Sequence, residues 1–413
     1  MKLLHLALLL LLAPLAHAAG KAPVYYDAAY RAAVRPHNGA IDMELKLSGE
    51  RLPSRVVLRI DPKRHQDFKS TDPLRVTGSR VTWEPQGRES RLRYRFIVNH
   101  ERAPGRYDSR MTNDWTIFRA EKLVPRASVK ARRSLHSRAT LKFDLPNEWT
   151  IATPYAATKE NDFTFDDAGR RFDQPKGWFI AGKIGARNEK VGATRVTIAA
   201  PLGDDARRQD TLAFLNWTLP RLQAVFPEFP DRLLIVSAGD PMWRGGLSAP
   251  ASLFLHSDRP LISENRTSTL LHELVHVAMG IRADEESDWI VEGLAEYYSL
   301  EALHRSGSIS ASRHKQAIEK LAQWARRAPT LFDDHSTGAT TARAVITFRD
   351  ADAEIRRVSG GKASLDDLAR RLAQEEDDVS LDRLQKLAAE VAGRPLASLE
   401  RARLTKPVAA RAE

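Results

Sequence analysis

Two histidines, His272 and His276, stand four residues apart with Glu273 directly after the first, and no other stretch of the chain is so suited to chemistry. On an α-helix, positions i and i+4 share one face, so both imidazoles can reach a single ion. Zinc in hydrolytic sites takes three protein ligands and leaves a fourth position to water. Glu292, in the run WIVEGLAEYY (289–298), offers the third donor. The segment 277–291 between them is long enough for a turn and a second helix packed beside the first. Glu273 would then stand next to the open position as general base. Glu296 lies one helical turn beyond Glu292, where it can accept the second ring N–H of a ligand histidine and hold its tautomer. The expected cofactor is one Zn2+ per chain on His272, His276 and Glu292. The purely structural alternative is an amphipathic helix that buries Leu271, Leu274, Val275 and Ala278, with two histidines together by chance.

HELVH (272–276) followed by WIVEGLAEYY resembles the gluzincin metallopeptidases, most of all the glycyl aminopeptidase family and its aminopeptidase N relatives. The resemblance implies a thermolysin-like catalytic domain, peptide or protein substrates, His272, His276 and Glu292 as zinc ligands, and Glu273 as base. It also implies an active-site edge strand, for which WRGGLSAPAS (243–252) before Leu253-Phe254-Leu255 is the counterpart, with Gly246 against the substrate backbone. In aminopeptidases of this kind a glutamate after the glycine-containing triplet clamps the substrate α-amine, and here Ser248 takes that place. A serine cannot supply the negative charge that selects an ammonium. A tyrosine that stabilises the oxyanion in those families falls, by ungapped placement, on Thr341, and the following lysine on Arg343. Tyr297, Tyr298 and His335 are the candidate substitutes for that donor. The implied activity is zinc-dependent peptide hydrolysis without standard aminopeptidase specificity. The alternative is a catalytically impaired zinc-binding scaffold or interaction module of the same fold.

These groups need elements to position them. Residues 205–226 suit a helix, Leu233–Val236 a short buried strand, and the zinc motifs two further helices. After them come a helical stripe at Ala317, Ile318, Leu321, Trp324 and Ala325, a capping box at Ser364 and Asp367, and a helix from Leu381 to about Ala392 that stops at Gly393. The tail from Arg401 is charged and expected to fray. Before the motifs the pattern has period two: Ile41, Met43, Leu45 and Leu47; Leu92, Tyr94, Phe96 and Val98; Ala139, Leu141, Phe143 and Leu145; Val196 and Ile198. Half-buried antiparallel strands read this way, with turns at Pro104-Gly105-Arg106 and Asp167-Ala168-Gly169. Trp83, Trp115, Trp149 and Trp178 are expected in their core.

The fold class is therefore α+β and multidomain. Residues 1–18 read as a signal peptide, with Lys2, an apolar run and Ala16-His17-Ala18 as cleavage site. An antiparallel β-sandwich-like domain follows at 19–200, a thermolysin-like catalytic domain at 201–330 and a helical C-terminal region at 331–413. A signal peptide sends the chain to the periplasm or outside the cell. There is no cysteine, hence no disulfide framework and no lipid attachment site. The net charge of +11 suits peripheral contact with an anionic membrane or cell-wall surface. It does not suggest nucleic-acid binding, because the basic residues are spread along the chain without a nucleic-acid motif.

Overall fold

The structure, a computed structural model, describes residues 24–165, 170–333 and 335–405. The expected signal peptide and the expected turn at 167–169 lie outside these residues. The alternating segments form strands whose apolar faces are buried. Ala40–Ser48 pairs antiparallel with Glu89–Ile97, setting Met43 opposite Tyr94 and Leu45 opposite Leu92. Their outward residues make cross-strand ion pairs, such as Arg93 with Glu44 at 2.6 Å. The resulting seven-stranded sheet packs on a four-stranded one, with Tyr30, Leu45, Phe96 and Phe143 from the first against Val56, Val81 and Trp83 from the second. The sheet is not purely antiparallel. Val24–Arg35 runs parallel to Leu135–Asp144 in unbroken register, because the long intervening excursion returns the chain to the starting edge in the same direction.

A third, five-stranded sheet joins this region to the part that carries the two histidine and glutamate motifs. Ile117, Trp178 and Ile180 from it pack on Ala199, Leu234, Val236 and Phe254. The strands Ile184–Val191 and Thr194–Pro201, expected at the end of the N-terminal β domain, join instead the sheet that precedes the motif helices. There Thr194–Pro201 is parallel to Arg232–Ala238, which is parallel to Ser252–His256, and Gly246–Ala249 closes the edge antiparallel. Val196 and Ile198 join a core with Leu212, Leu215, Leu219 and Leu222 of the helix Arg208–Val225.

Helices complete the C-terminal part. Ala311–Ala325 buries Ala317, Leu321 and Ala325, but Trp324 of the same stripe is 46% exposed. The capping box at Ser364 and Asp367 is formed, and Leu381–Ala392 ends at Gly393 with φ 80°. The tail does not fray at Arg401. Residues Arg401–Leu404 are helical, with Leu404 buried, because Arg343 reaches them: its guanidinium donates to the carbonyls of Ala328 (3.1 Å), Arg403 (3.3 Å) and Leu404 (2.7 Å). Arg343 is thus a clamp on the C-terminal segment and not a cation of the site. Arg343→Leu strands these buried acceptors and is expected to cost about 3 kcal/mol, read from the urea midpoint. A loss of turnover at unchanged midpoint would contradict this placement.

Candidate metal centre

The first motif forms the helix Thr269–Met279, begun by Ser268, whose hydroxyl accepts from the Leu271 amide, and ended by Gly280 at φ 64°. Leu270, Leu271, Leu274 and Val275 are buried in the core, which turns the His272 and His276 face the other way. The second motif forms Asp288–Arg305, with Trp289, Ile290 and Leu294 buried and Glu292 and Glu296 on one face. The hydroxyl of Ser299 donates to the Ser268 carbonyl at 3.1 Å and ties the two helices together. Gly293 in turn lets the second of them pack closely on a third helix. A Cβ there would lie 2.4 Å from Ala344 Cβ on the helix Ala339–Val358.

The two faces meet. His272 Nε2 and His276 Nε2 are 3.1 Å apart, and the Glu292 carboxylate oxygens lie 3.2 Å from the first and 3.4 Å from the second. Zinc–nitrogen and zinc–oxygen bonds of about 2.0–2.1 Å place tetrahedral ligands roughly 3.3 Å apart. The three donors therefore already stand at the spacing that such an ion requires. Among the described residues this is the one trio of histidine, aspartate or glutamate whose donor atoms converge so closely. His272 Nδ1 is 3.1 Å from Glu296 Oε2, an outer carboxylate that aims the ring. Burial disfavours charge on His272, but Glu292 and Glu296 outweigh it and hold its pKa up, at about 10. Burial, with His272 alongside, pushes His276 down to about 4.

Glu273 is buried beside this trio. A Cβ on Gly246 would lie 2.4 Å from Glu273 Cγ, so the edge strand can approach the carboxylate only with glycine at this position. Burial raises the Glu273 pKa, opposed by His272 and by hydrogen bonds from the hydroxyl and backbone amide of Ser248. A carboxyl held up in this way is poised to take and return a proton. The edge strand is itself held by Trp178, whose indole N–H donates to the Leu247 carbonyl at 2.8 Å.

Three other candidates, Tyr297, Tyr298 and Thr341, are engaged away from the site. Tyr297 and Tyr298 point into the helical core. Tyr298 packs edge-on against Phe226 at 5.4 Å, and both rings face Arg305 and Asp366. On this helix the positions after Glu296 rotate away from the Glu292 face. His335 is exposed on a loop whose next residue, Ser336, donates its amide to Asp288. Thr341 spends its hydroxyl on the Ser336 carbonyl at 3.1 Å. The sequence reading missed a cavity of about 790 Å³ that opens beside His276 and Ser248, walled largely by basic residues from the N-terminal part. No local signal could have found it, since those residues are scattered between positions 119 and 176.

The α+β arrangement around this trio is similar to the fold of zinc metallopeptidases of the aminopeptidase N type. No family model and no curated protein matches the sequence. The chain is similar over 92% of its length to an aminopeptidase N family protein from Idiomarina loihiensis, with 14% identity, a TM-score of 0.72 and 76% of that chain covered. It is similar to an M1 zinc metallopeptidase from Deinococcus radiodurans at 17% identity and TM-score 0.57, covering 94% of this chain and 95% of that one. Leukotriene A4 hydrolase from Saccharomyces cerevisiae matches at 13% identity and TM-score 0.56, over 95% of this chain and 69% of that one.

Proposed function

We propose that this chain is an exported zinc metallopeptidase that hydrolyses internal or N-terminally blocked peptide bonds. The observation that carries the reading is the convergence of His272, His276 and Glu292 with Glu273 buried alongside. Bound Zn2+ would polarise the scissile carbonyl and the attacking water. Glu273 takes a proton from that water and delivers it to the leaving amine. The outer edge of Gly246–Ala249, last in its sheet, pairs with an extended substrate backbone, and Gly246 lets that backbone lie close to Glu273. Ser248 offers no charge to a free α-amine, which favours blocked or internal bonds. The zinc-loaded protein is expected to cleave N-acetylated peptides. A chelator should abolish cleavage and added Zn2+ restore it, followed by mass spectrometry of the products.

A second reading is favoured by one observation: Thr341, Arg343, Tyr297 and Tyr298 are all engaged elsewhere, so none of them supplies the oxyanion donor. The fold would then be a zinc-bearing scaffold with little turnover. Stoichiometric zinc without cleavage across a denatured-protein library would favour it.

A further inference from the structure

Among the described residues, the cavity beside Ser248 is lined by six cationic side chains, Arg119, Lys122, Arg126, Arg170, Lys176 and Arg282, and one carboxylate, Glu121. That carboxylate is already committed. Its Oε1 is paired with Arg119, and its Oε2 accepts the amide of Gly177 at 3.0 Å. Arg282 is paired with Asp378 at 2.7 Å. Lys122 and Arg126 have no carboxylate within ion-pair distance among the described residues and are exposed at the cavity wall.

This wall is in reach of the reacting bond. The cavity wall includes His276 from the candidate centre, and Ser248, Ala249 and Pro250 from the end of the edge strand. Gly246 of that strand abuts Glu273. At about 3.3 Å per extended residue, a peptide paired with the strand enters the cavity within roughly four residues of Glu273. A concave wall joined to the centre suits a side chain of the substrate better than a flat membrane surface does. With Ser248 neutral, an ammonium entering here would meet Lys122 and Arg126, while the Glu121 carboxylate is already paired with Arg119.

We propose that this cavity is a subsite for the carboxylate side chains of an acidic peptide, an inference that rests on the peptidase reading above and names its substrate class. Lys122 and Arg126 are the residues that make it selective.

The test uses full-length Glu273→Gln protein, loaded with zinc, and three fluorescent N-acetylated peptides that differ only in an Asp/Glu, Ser/Ala or Lys run. The acidic peptide is expected to bind about tenfold or more tighter than the lysine peptide, and this advantage should shrink between about 50 and about 500 mM salt. Lys122→Glu with Arg126→Glu should reverse the order. If that pair fails to fold, Lys122→Gln with Arg126→Gln should erase the preference. Equal binding of the acidic and lysine peptides, or an order that survives these variants, overturns the subsite. The same peptides given to the unsubstituted protein separate the two claims. Charge-selective binding without cleavage upholds the subsite and removes the peptidase reading. Cleavage of all three at similar rates upholds the peptidase and removes the subsite.

Discussion

Glu273→Gln is expected to lower turnover of an N-acetylated peptide by about 10³, within the 10²–10⁴ that a positioned acid–base group contributes. The substitution keeps the shape of the side chain where space is tightest, since Gly246 leaves the Glu273 side chain just enough room. It also leaves untouched the three donors that lie 3.1–3.4 Å apart. Zinc content and thermal midpoint should therefore be those of the parent, and the loss should fall on kcat more than on KM. This combination separates a missing base from a disturbed fold. Retention of more than about a tenth of the parent turnover would remove Glu273 from the chemistry and, with it, the proposed mechanism.

Gly293→Val is the second large effect. Its first carbon would lie 2.4 Å from Ala344 Cβ and 3.0 Å from Phe348, closer than packed carbons come, and Trp289 is already stacked on Phe348 at 5.6 Å. Overpacking of this kind costs typically about 1–3 kcal/mol, and the helix relieves it by moving off its neighbour. Glu292 is the adjacent residue, so the shift also displaces one of the three donors. Lower thermal midpoint and weaker zinc retention against a competing chelator are expected together. Ala344→Gly in the same chain removes the clash, and the pair should couple favourably in a double-mutant cycle even though glycine in a helix costs about 1 kcal/mol by itself. A Gly293→Val protein with parent stability and parent zinc affinity would mean that the two helices have room to spare.

Both experiments probe a site whose halves are local in the chain. His272 and His276 share a face because a helix repeats every 3.6 residues, and Glu292 and Glu296 share one for the same reason. The apolar residues between them decide which face turns inward. That much is contained in two short runs of sequence, as is the helical capping at Ser364 and Asp367. The alternation of Ile41 to Leu47 and of Leu92 to Val98 likewise specifies strands with one buried face.

Alternation records burial, however, and not the partner across the ladder. Nothing within Val24–Arg35 or Leu135–Asp144 says that they run side by side in parallel, and Val196 and Ile198 alternate just as they would in the earlier sheet. Ladder partners are chosen by non-local packing, which a one-dimensional period cannot carry. The same holds for side chains with several uses. Arg343 and Tyr298 are types that serve catalysis, yet tertiary packing sends one to the carbonyls of residues 328, 403 and 404 and the other against Phe226. The basic wall beside Ser248 belongs to this second class too, because residues far apart in the chain line a single cavity only after the N-terminal sheets dock on the sheet that ends in Gly246–Ala249. Sequence alone determined which residues could bind a metal ion and move a proton. The fold decided which charges surround them, because an electrostatic field depends on distance in space and not along the chain.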